Sequence, residues 1–316
     1  MRIGVIGLGA IGGVTAARLL RAGLDVALGA GRSAEAIRAQ GLRVEGEAPV
    51  PAPRVSDLLP GGVYDLILLA TRSADTARAL LPAAPLLAED GAVVCLQNGL
   101  PEERAAAVVG AGRVLGAVIG WSATMRGPGD YLVTGGGGFT LGGASMLGGA
   151  CKRLDDARAV LQHAFPVQVT QNLEGARWSK LALNCAMSTL GAVSGLSLGE
   201  LAARRDIRRL ALRVVREVVE AAQGKGVRLE PIAGIQPDLL VQSFPLIGHA
   251  AIWLAARRRP RQKTGMIARL QQGKPAGVED LNALIDGPLN RKLVQMVHKI
   301  EQGQRQIAPG NLSELA

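Results

Sequence analysis

In the first half of the chain, short apolar runs alternate with amphipathic stretches; the second half shows helical periodicity alone. Arg2-Ile3-Gly4-Val5-Ile6 is strand-forming, Val14–Ala22 has helical spacing, and Val26-Ala27-Leu28 is apolar again. Ala34–Gln40 predicts a short helix, and Leu42–Glu45 with the proline-rich Ala48–Val55 predicts a small irregular excursion. Tyr64–Ala70 is continuously apolar, as in a parallel strand buried on both faces, and Gly91–Leu96 reads the same way. Between them Ala74–Ala88 predicts one helix. Val114–Met125, Tyr131–Thr134 and Phe139–Gly142 predict strands that extend the sheet on one edge, with Gly135–Gly138 as a hairpin turn. Cys151–His163 predicts an amphipathic helix and Val167–Thr170 a last strand. From Gly175 onward no strand is expected.

The junction of the first strand and helix carries Gly7-Leu8-Gly9-Ala10-Ile11-Gly12, a GxGxxG with a strand before it and a helix after it. Gly7 permits a tight turn, Gly9 lets the backbone approach a pyrophosphate, and Gly12 permits close helix packing. The helix N-terminus offers unpaired N–H groups to an anion. The expected fold is therefore α/β: an N-terminal Rossmann-type doubly wound sheet over residues 1–171 and an all-α domain over 172–316. Dinucleotide-binding chains that use NAD place an acid roughly 20 residues past the glycines, on the ribose hydroxyls. Here the second strand runs into Gly29-Ala30-Gly31-Arg32-Ser33 with no carboxylate. Arg32 can pair bidentately with a 2′-phosphate and Ser33 can add a hydroxyl, which favours NADP(H); a solvated loop cation is the bland alternative.

Two more residues fall just past carboxyl ends of strands, where open α/β sheets bind ligands. Arg72, in Thr71-Arg72-Ser73, is a candidate phosphate contact. Asn98, in Gln97-Asn98-Gly99, offers an amide to a ribose, a nicotinamide or a substrate, although Asn-Gly is also an ordinary turn dipeptide.

The 316 residues suffice for one large domain or two ordinary ones. The three cysteines, Cys95, Cys151 and Cys185, form no CxxC pair, so neither a disulfide framework nor a metal site is expected, in keeping with a reducing cytoplasm. Glycines at phosphate-binding positions and Arg18 and Arg21 argue against reading the N-terminus as a signal peptide. The longest later apolar segment, Phe244–Ala256, is too short to span a bilayer. The net charge of +10 includes the cluster Arg257, Arg258, Arg259, Arg261 and Lys263. With no aromatic platform expected beside it, a solvated helix end accounts for that cluster better than nucleic-acid binding does. Positive charge also favours an anionic cofactor and a small acidic substrate.

In the helical half, Arg177-Trp178-Ser179-Lys180-Leu181-Ala182-Leu183-Asn184-Cys185 places Lys180 and Asn184 four apart, on one helix face. The lysine could donate to a carbonyl oxygen, or simply snorkel over an apolar helix. The GxGxxG, the arginine after the second strand, Gln97-Asn98-Gly99 and Trp-x-Lys-Leu-x-x-Asn follow one another at separations that resemble the ketopantoate reductase (2-dehydropantoate 2-reductase) family. The resemblance extends from Met1 to about Ile300 and includes Met266 and Gly273-Lys274-Pro275 to Leu281-Asn282. It implies NADPH-dependent reduction of a 2-oxo acid by a Rossmann domain and a helical domain. Gly7, Leu8, Gly9, Ala10, Ile11 and Gly12 would hold the pyrophosphate and Arg32 the 2′-phosphate. Arg72 stands where the family often has a lysine, Asn98 would lie at ribose and substrate, Lys180 would be the acid, and Asn184 would bind substrate. The helical half of such enzymes often supports a homodimer, though no heptad or large patch marks one here.

The pattern breaks at three polar positions. The family's serine before Met266 is Gly265, its glutamate is Gly277, and its second helix asparagine is Ser188. If the segment is helical, Asp280 returns towards the face of Gly277 and could substitute, whereas Glu279 faces away. Asp280 and Ser188 thus join Asn98 and Asn184 as candidate substrate contacts. The losses lead to the expectation of a different 2-oxo acid, or another carbonyl or imine, as substrate. A non-catalytic NADPH sensor and a D-2-hydroxy acid dehydrogenase are the competing readings.

Overall fold

The computed structural model describes residues 1–143, 150–231, 234, 236–242, 245–257 and 260–315. Phe244, Arg258, Arg259 and the side chain of Cys151 lie outside the described residues. The chain divides into two compact units, Met1–Leu173 and Glu174–Ala316.

Unit 1 contains strands β1 (Arg2–Ile6), β2 (Asp25–Gly29), β3 (Arg43–Val44), β4 (Val55–Ser56), β5 (Tyr64–Leu69), β6 (Leu87–Cys95), β7 (Val114–Ile119), β8 (Ser122–Gly127), β9 (Asp130–Gly135), β10 (Phe139–Gly143) and β11 (Val167–Val169). Its helices are α1 (Ala10–Arg21), α2 (Ala34–Gln40), α3 (Thr76–Leu80), α4 (Glu102–Val109) and α5 (Ala150–Leu161). Eight strands form one sheet in the order β11-β10-β7-β6-β5-β1-β2-β4. All neighbours in it run parallel except β7 and β10. Strand β1 is flanked by β2 and β5, with Gly4 opposite both Ala27 and Ile67, so the chain reverses its winding direction beside β1.

The alternation along β5 divides the core. Leu66 and Leu68 join Val5, Leu28 and Val94 with Val14 and Leu19 of α1; Ile67 and Leu69 join Ala27 and Val93 with Leu80 of α3 and Ala105 of α4. Each such Leu, Ile or Val contributes about 1.5–3 kcal/mol on full burial, which explains an unbroken apolar run in a strand covered on both faces.

Several expectations need correction. Ala74–Ala88 is not one helix: a 3₁₀ turn, Ser73–Asp75, leads into the five-residue α3, and β6 already opens at Leu87. Pro82 and Pro85 lack the N–H that a continuing helix would require. Helix α1 starts at Ala10, ahead of the apolar periodicity that begins at Val14, because the glycine turn feeds directly into it. Val114–Met125 is two strands, and β8 and β9 leave the main sheet to form a second one, β3-β9-β8. Gly135–Gly138 therefore joins two sheets and closes no hairpin. Tyr131 of β9 supplies the reason. Its buried ring abuts α1 where a Cβ on Gly13 would come within 2.0 Å, and its hydroxyl donates to the Leu8 carbonyl at 2.9 Å. The excursion between α2 and β5 is likewise partly ordered: β3 pairs with β9, and β4 pairs with β2.

Unit 2 consists of α6 (Leu173–Leu183), whose first residue closes unit 1, with α7 (Thr189–Ser194), α8 (Leu198–Ala203), α9 (Arg205–Gly224), α10 (Pro237–Gln242), α11 (Pro245–Arg257), α12 (Gly265–Gln271) and α13 (Pro288–Glu301). Among its described residues there is no strand, as expected. Helix α9 buries Ile207, Leu210, Val214 and Val218 at three- and four-residue spacing. Between α6 and α7 the helix widens into a π turn, Asn184–Ser188, which periodicity did not anticipate. No helix among the described residues is long and apolar enough to cross a membrane.

Candidate active site

The glycine turn lies at the carboxyl end of β1. Gly7 has φ +94°, and a Cβ there would stand 2.7 Å from the Thr71 backbone nitrogen, so the turn needs glycine twice over. A Cβ on Gly12 would fall 2.0 Å from the Gly7 carbonyl oxygen. Gly9, the N-cap of α1, has nothing within 4 Å of its Cβ position, which leaves that flank open to a ligand. Leu8 points into the core, Ala10 and Ile11 are half-buried, and the first turn of α1 holds no acid, so its free N–H groups keep their positive field. A cavity of about 490 Å³ opens here, lined by Ile6, Gly7, Gly29, Ala30, Gly31, Asp57, Thr71, Asp75 and Arg78. It lies where the sheet reverses its winding, the position at which such sheets bind ligands.

Arg32 is exposed in the 3₁₀ turn Gly31–Ser33 right after β2, and no carboxylate among the described residues pairs with it. Arg72 follows β5, where its Nε donates to Asp75 Oδ2 at 2.7 Å; Arg78 donates to the other oxygen at 2.9 Å. The hydrogen bond from Arg72 holds the Asp75 carboxyl below its ordinary pKa. Asp57 and Asp75 are acids at the cavity that sequence spacing did not single out, because they arrive from β4 and from the turn after β5. Asn98 is exposed just beyond β6. Its neighbour Gln97 is buried: its Nε2 donates to Thr76 Oγ1 at 2.9 Å and reaches Thr71 Oγ1 and the Arg72 carbonyl at 3.2 Å. Gln97 thus ties the loop after β5 to the end of β6, a role its place in the sequence did not reveal.

In unit 2, Lys180 lies in the last turn of α6. It is half-buried, and Trp178, Ser179 and Leu181 around it are buried, so it is no lysine on an open surface. Asn184 begins the π turn and Ser188 ends it; both are half-buried. The three residues share one continuous helical segment. The Ser188 carbonyl accepts from Thr264 Oγ1 at 3.3 Å, and Gly265 behind Thr264 is exposed with open space at its Cβ position. The segment after it corrects the helical argument about Asp280. Gly277 has φ +87° and caps a 3₁₀ turn, Val278–Asp280, so α-helical angles do not apply. Glu279 turns to His298 Nε2 at 2.8 Å, and Asp280 is half-buried at the end of that turn.

Glu279, His298 and Glu301 bring ligand-type atoms within 4.8 Å of one another, but Glu301 also accepts from the Ala276 N–H at 2.7 Å and two of the three are exposed. The basic cluster has an aromatic neighbour that the sequence reading did not expect: the Arg257 guanidinium lies 4.4 Å from the ring centroid of Trp253. Cys95 and Cys185 are buried, and burial pushes the Cys185 thiol well above its ordinary pKa.

Comparison with known proteins bears on the family and the fold. A 2-dehydropantoate 2-reductase of Pyrococcus horikoshii is 31% identical over 248 residues, covering 77% of this chain and 80% of the relative. The crystal structure of a PanE/ApbA family ketopantoate reductase from Ralstonia eutropha JMP134 superposes with a TM-score of 0.80 at 30% identity, covering 97% of this chain and 100% of that one. A D-mandelate dehydrogenase with NADH and anilino(oxo)acetate shares the fold, with a TM-score of 0.83 at 20% identity over 96% of this chain and 99% of the other. The family models Ketopantoate reductase PanE/ApbA and Ketopantoate reductase PanE/ApbA C terminal match residues 3–145 and 172–286. With both halves matched in order, the chain belongs to the ketopantoate reductase PanE/ApbA family.

Proposed function

We propose that this chain reduces a 2-oxo acid of the ketopantoate type to the 2-hydroxy acid, with NADPH as reductant. The observation that carries the reading is the pairing of a glycine turn shaped for a pyrophosphate with a half-buried lysine on the π-broken helix of a family reductase. The residues of unit 1 fit the cofactor: Gly9 leaves its flank open, the first turn of α1 carries no acid, and no carboxylate among the described residues pairs with Arg32. When bound, NADPH supplies a hydride. The first turn of α1 would hold the pyrophosphate, Arg32 the 2′-phosphate, Arg72 would add a phosphate contact, and Asn98 would donate to the ribose or the acid.

Lys180 places its ammonium on the carbonyl oxygen. As the carbonyl carbon gains a hydride, negative charge grows on that oxygen, and the ammonium stabilises it and then gives up its proton. Water reprotonates the amine. Asn184, Ser188 and Asp280 contact the remaining polar groups of the acid. In this reading residues 1–171 serve the cofactor, and residues 172–316 serve the substrate and the pairing of two copies. Exposed Leu239, Trp253 and Leu254 support a homodimer, and a sequence without a CxxC pair suits a reducing cytoplasm. Open space at Gly265 and Gly277 supports acceptance of acids other than ketopantoate.

The test is NADPH oxidation, followed by absorbance, against ketopantoate and a panel of 2-oxo acids. Turnover of at least one acid is expected. NADPH binding without turnover of any would leave a sensor as the better reading.

A further inference from the structure

Behind the segment that carries Lys180, Asn184 and Ser188, a chain of polar groups crosses the core of unit 2. Asn282 is completely buried. Its Nδ2 donates to the Cys185 carbonyl at 3.0 Å and to Asn290 Oδ1 at 2.8 Å, while its Oδ1 accepts from Thr189 Oγ1 at 2.6 Å. Asn290, also completely buried, donates from its Nδ2 to Glu217 Oε2 at 2.8 Å. Glu217, on α9, accepts the backbone N–H groups of Leu289 and Asn290 at 2.9 and 3.0 Å and so caps α13. Three separate elements are thereby keyed to one carbonyl in the π turn.

Stability alone does not explain this chain. Buried polar groups contribute little net stability over well-packed apolar ones of the same shape, yet become costly once a partner is missing. What the chain does specify is register. A π insertion adds a residue to the turn, displaces one carbonyl from its ordinary partner, and rotates all that follows by roughly 100° relative to an unbroken α-helix. Cys185 lies inside that turn, between Asn184 and Ser188. Thr189, the first residue of α7, is held by the same asparagine. Asn282 therefore grips the insertion inside it and just beyond it.

We infer that Asn282 is a positioning residue, which holds the π register and thereby sets the direction in which Asn184 and Ser188 meet the acid that Lys180 protonates. This inference rests on the reading of those three residues as the substrate-facing group. Asn282→Asp keeps the shape and the bond from Thr189 but turns two donors into an acceptor facing the Cys185 carbonyl and Asn290 Oδ1. The expected result is a fall in kcat of about 30-fold or more, since a misplacement near 1 Å costs about 100-fold. KM for the acid should rise while NADPH affinity stays that of wild type, and hydrogen exchange at residues 184–189 should quicken.

Thr189→Val, which loses only the bond onto Asn282, should lower kcat/KM for the acid by about fivefold, in line with one lost hydrogen bond. Thr189→Ser should restore it. This pair decides the matter if Asn282→Asp does not fold. A folded Asn282→Asp with wild-type kcat and KM, or a Thr189→Val indistinguishable from wild type, overturns the positioning role and leaves the reductase reading intact. A wild-type enzyme without turnover, or Lys180→Ala as active as wild type, overturns both.

Discussion

At the carboxyl end of β1 the groups presented to an anion are backbone N–H donors, set by three glycines and the start of a helix. Along α6 and the π turn the groups presented are side chains, and a hydrogen-bond chain ties that turn to residues almost a hundred positions away. The glycine turn is local: the residues from Ile6 to Gly12 make it, with the backbone at Ala70 and Thr71 packed against Gly7. The second segment is tied to α9 and α13 through Asn282, Asn290 and Glu217. A backbone site tolerates side-chain variation but no added Cβ; a side-chain site tolerates backbone neighbours but not a change of register.

Four substitutions probe that contrast. Lys180→Ala should have the largest effect, a loss in kcat on the order of 10³-fold, within the range for a positioned general acid, with NADPH affinity within about threefold of wild type. A parallel loss of NADPH binding would break the division of labour between the units. Gly12→Ala should act the other way round. Its methyl would meet the Gly7 carbonyl at 2.0 Å, so overpacking of about 1–3 kcal/mol should lower Tm and weaken NADPH binding together. Fluorescence titration and thermal melting measure both, and unchanged affinity would show that the glycine turn does not hold the cofactor.

Arg32→Ala should cost about 10- to 100-fold in kcat/KM for NADPH, as for a lost charge-assisted contact, and leave NADH nearly untouched. Equal losses with both would remove Arg32 from the 2′-phosphate. The smallest effect concerns Asp75. Its folded pKa is depressed by Arg72, so the Arg72–Asp75 pair stabilises unit 1 above the ordinary carboxylate value of 3.8, and this contribution fades as pH falls through the folded value. Partial exposure of Arg72 limits it to about 0.5 kcal/mol. Asp75→Asn should therefore lower stability slightly at pH 6 and not at all at the acid end, as urea unfolding at the two pH values would show.

The sequence by itself determined the glycine turn and the strands on either side of it in the cofactor half. GxGxxG between Ile6 and Val14, the buried run Tyr64–Ala70 and Arg32 past the second strand are short-range patterns whose geometry follows from backbone chemistry. The same logic made Lys180 and Asn184 visible as a pair on one helix. Tertiary structure alone decided the rest. Tyr131 drew β8 and β9 off the main sheet onto α1, and Gly277 adopted a left-handed turn in place of helical angles. Asp57 reached the cavity from the end of β4, and Asn282 tied itself to the π turn. Each of these depends on partners distant in sequence, and burial forces every polar group to find one: periodicity reports which face of an element is apolar, but not which buried amide will complete its hydrogen bonds there.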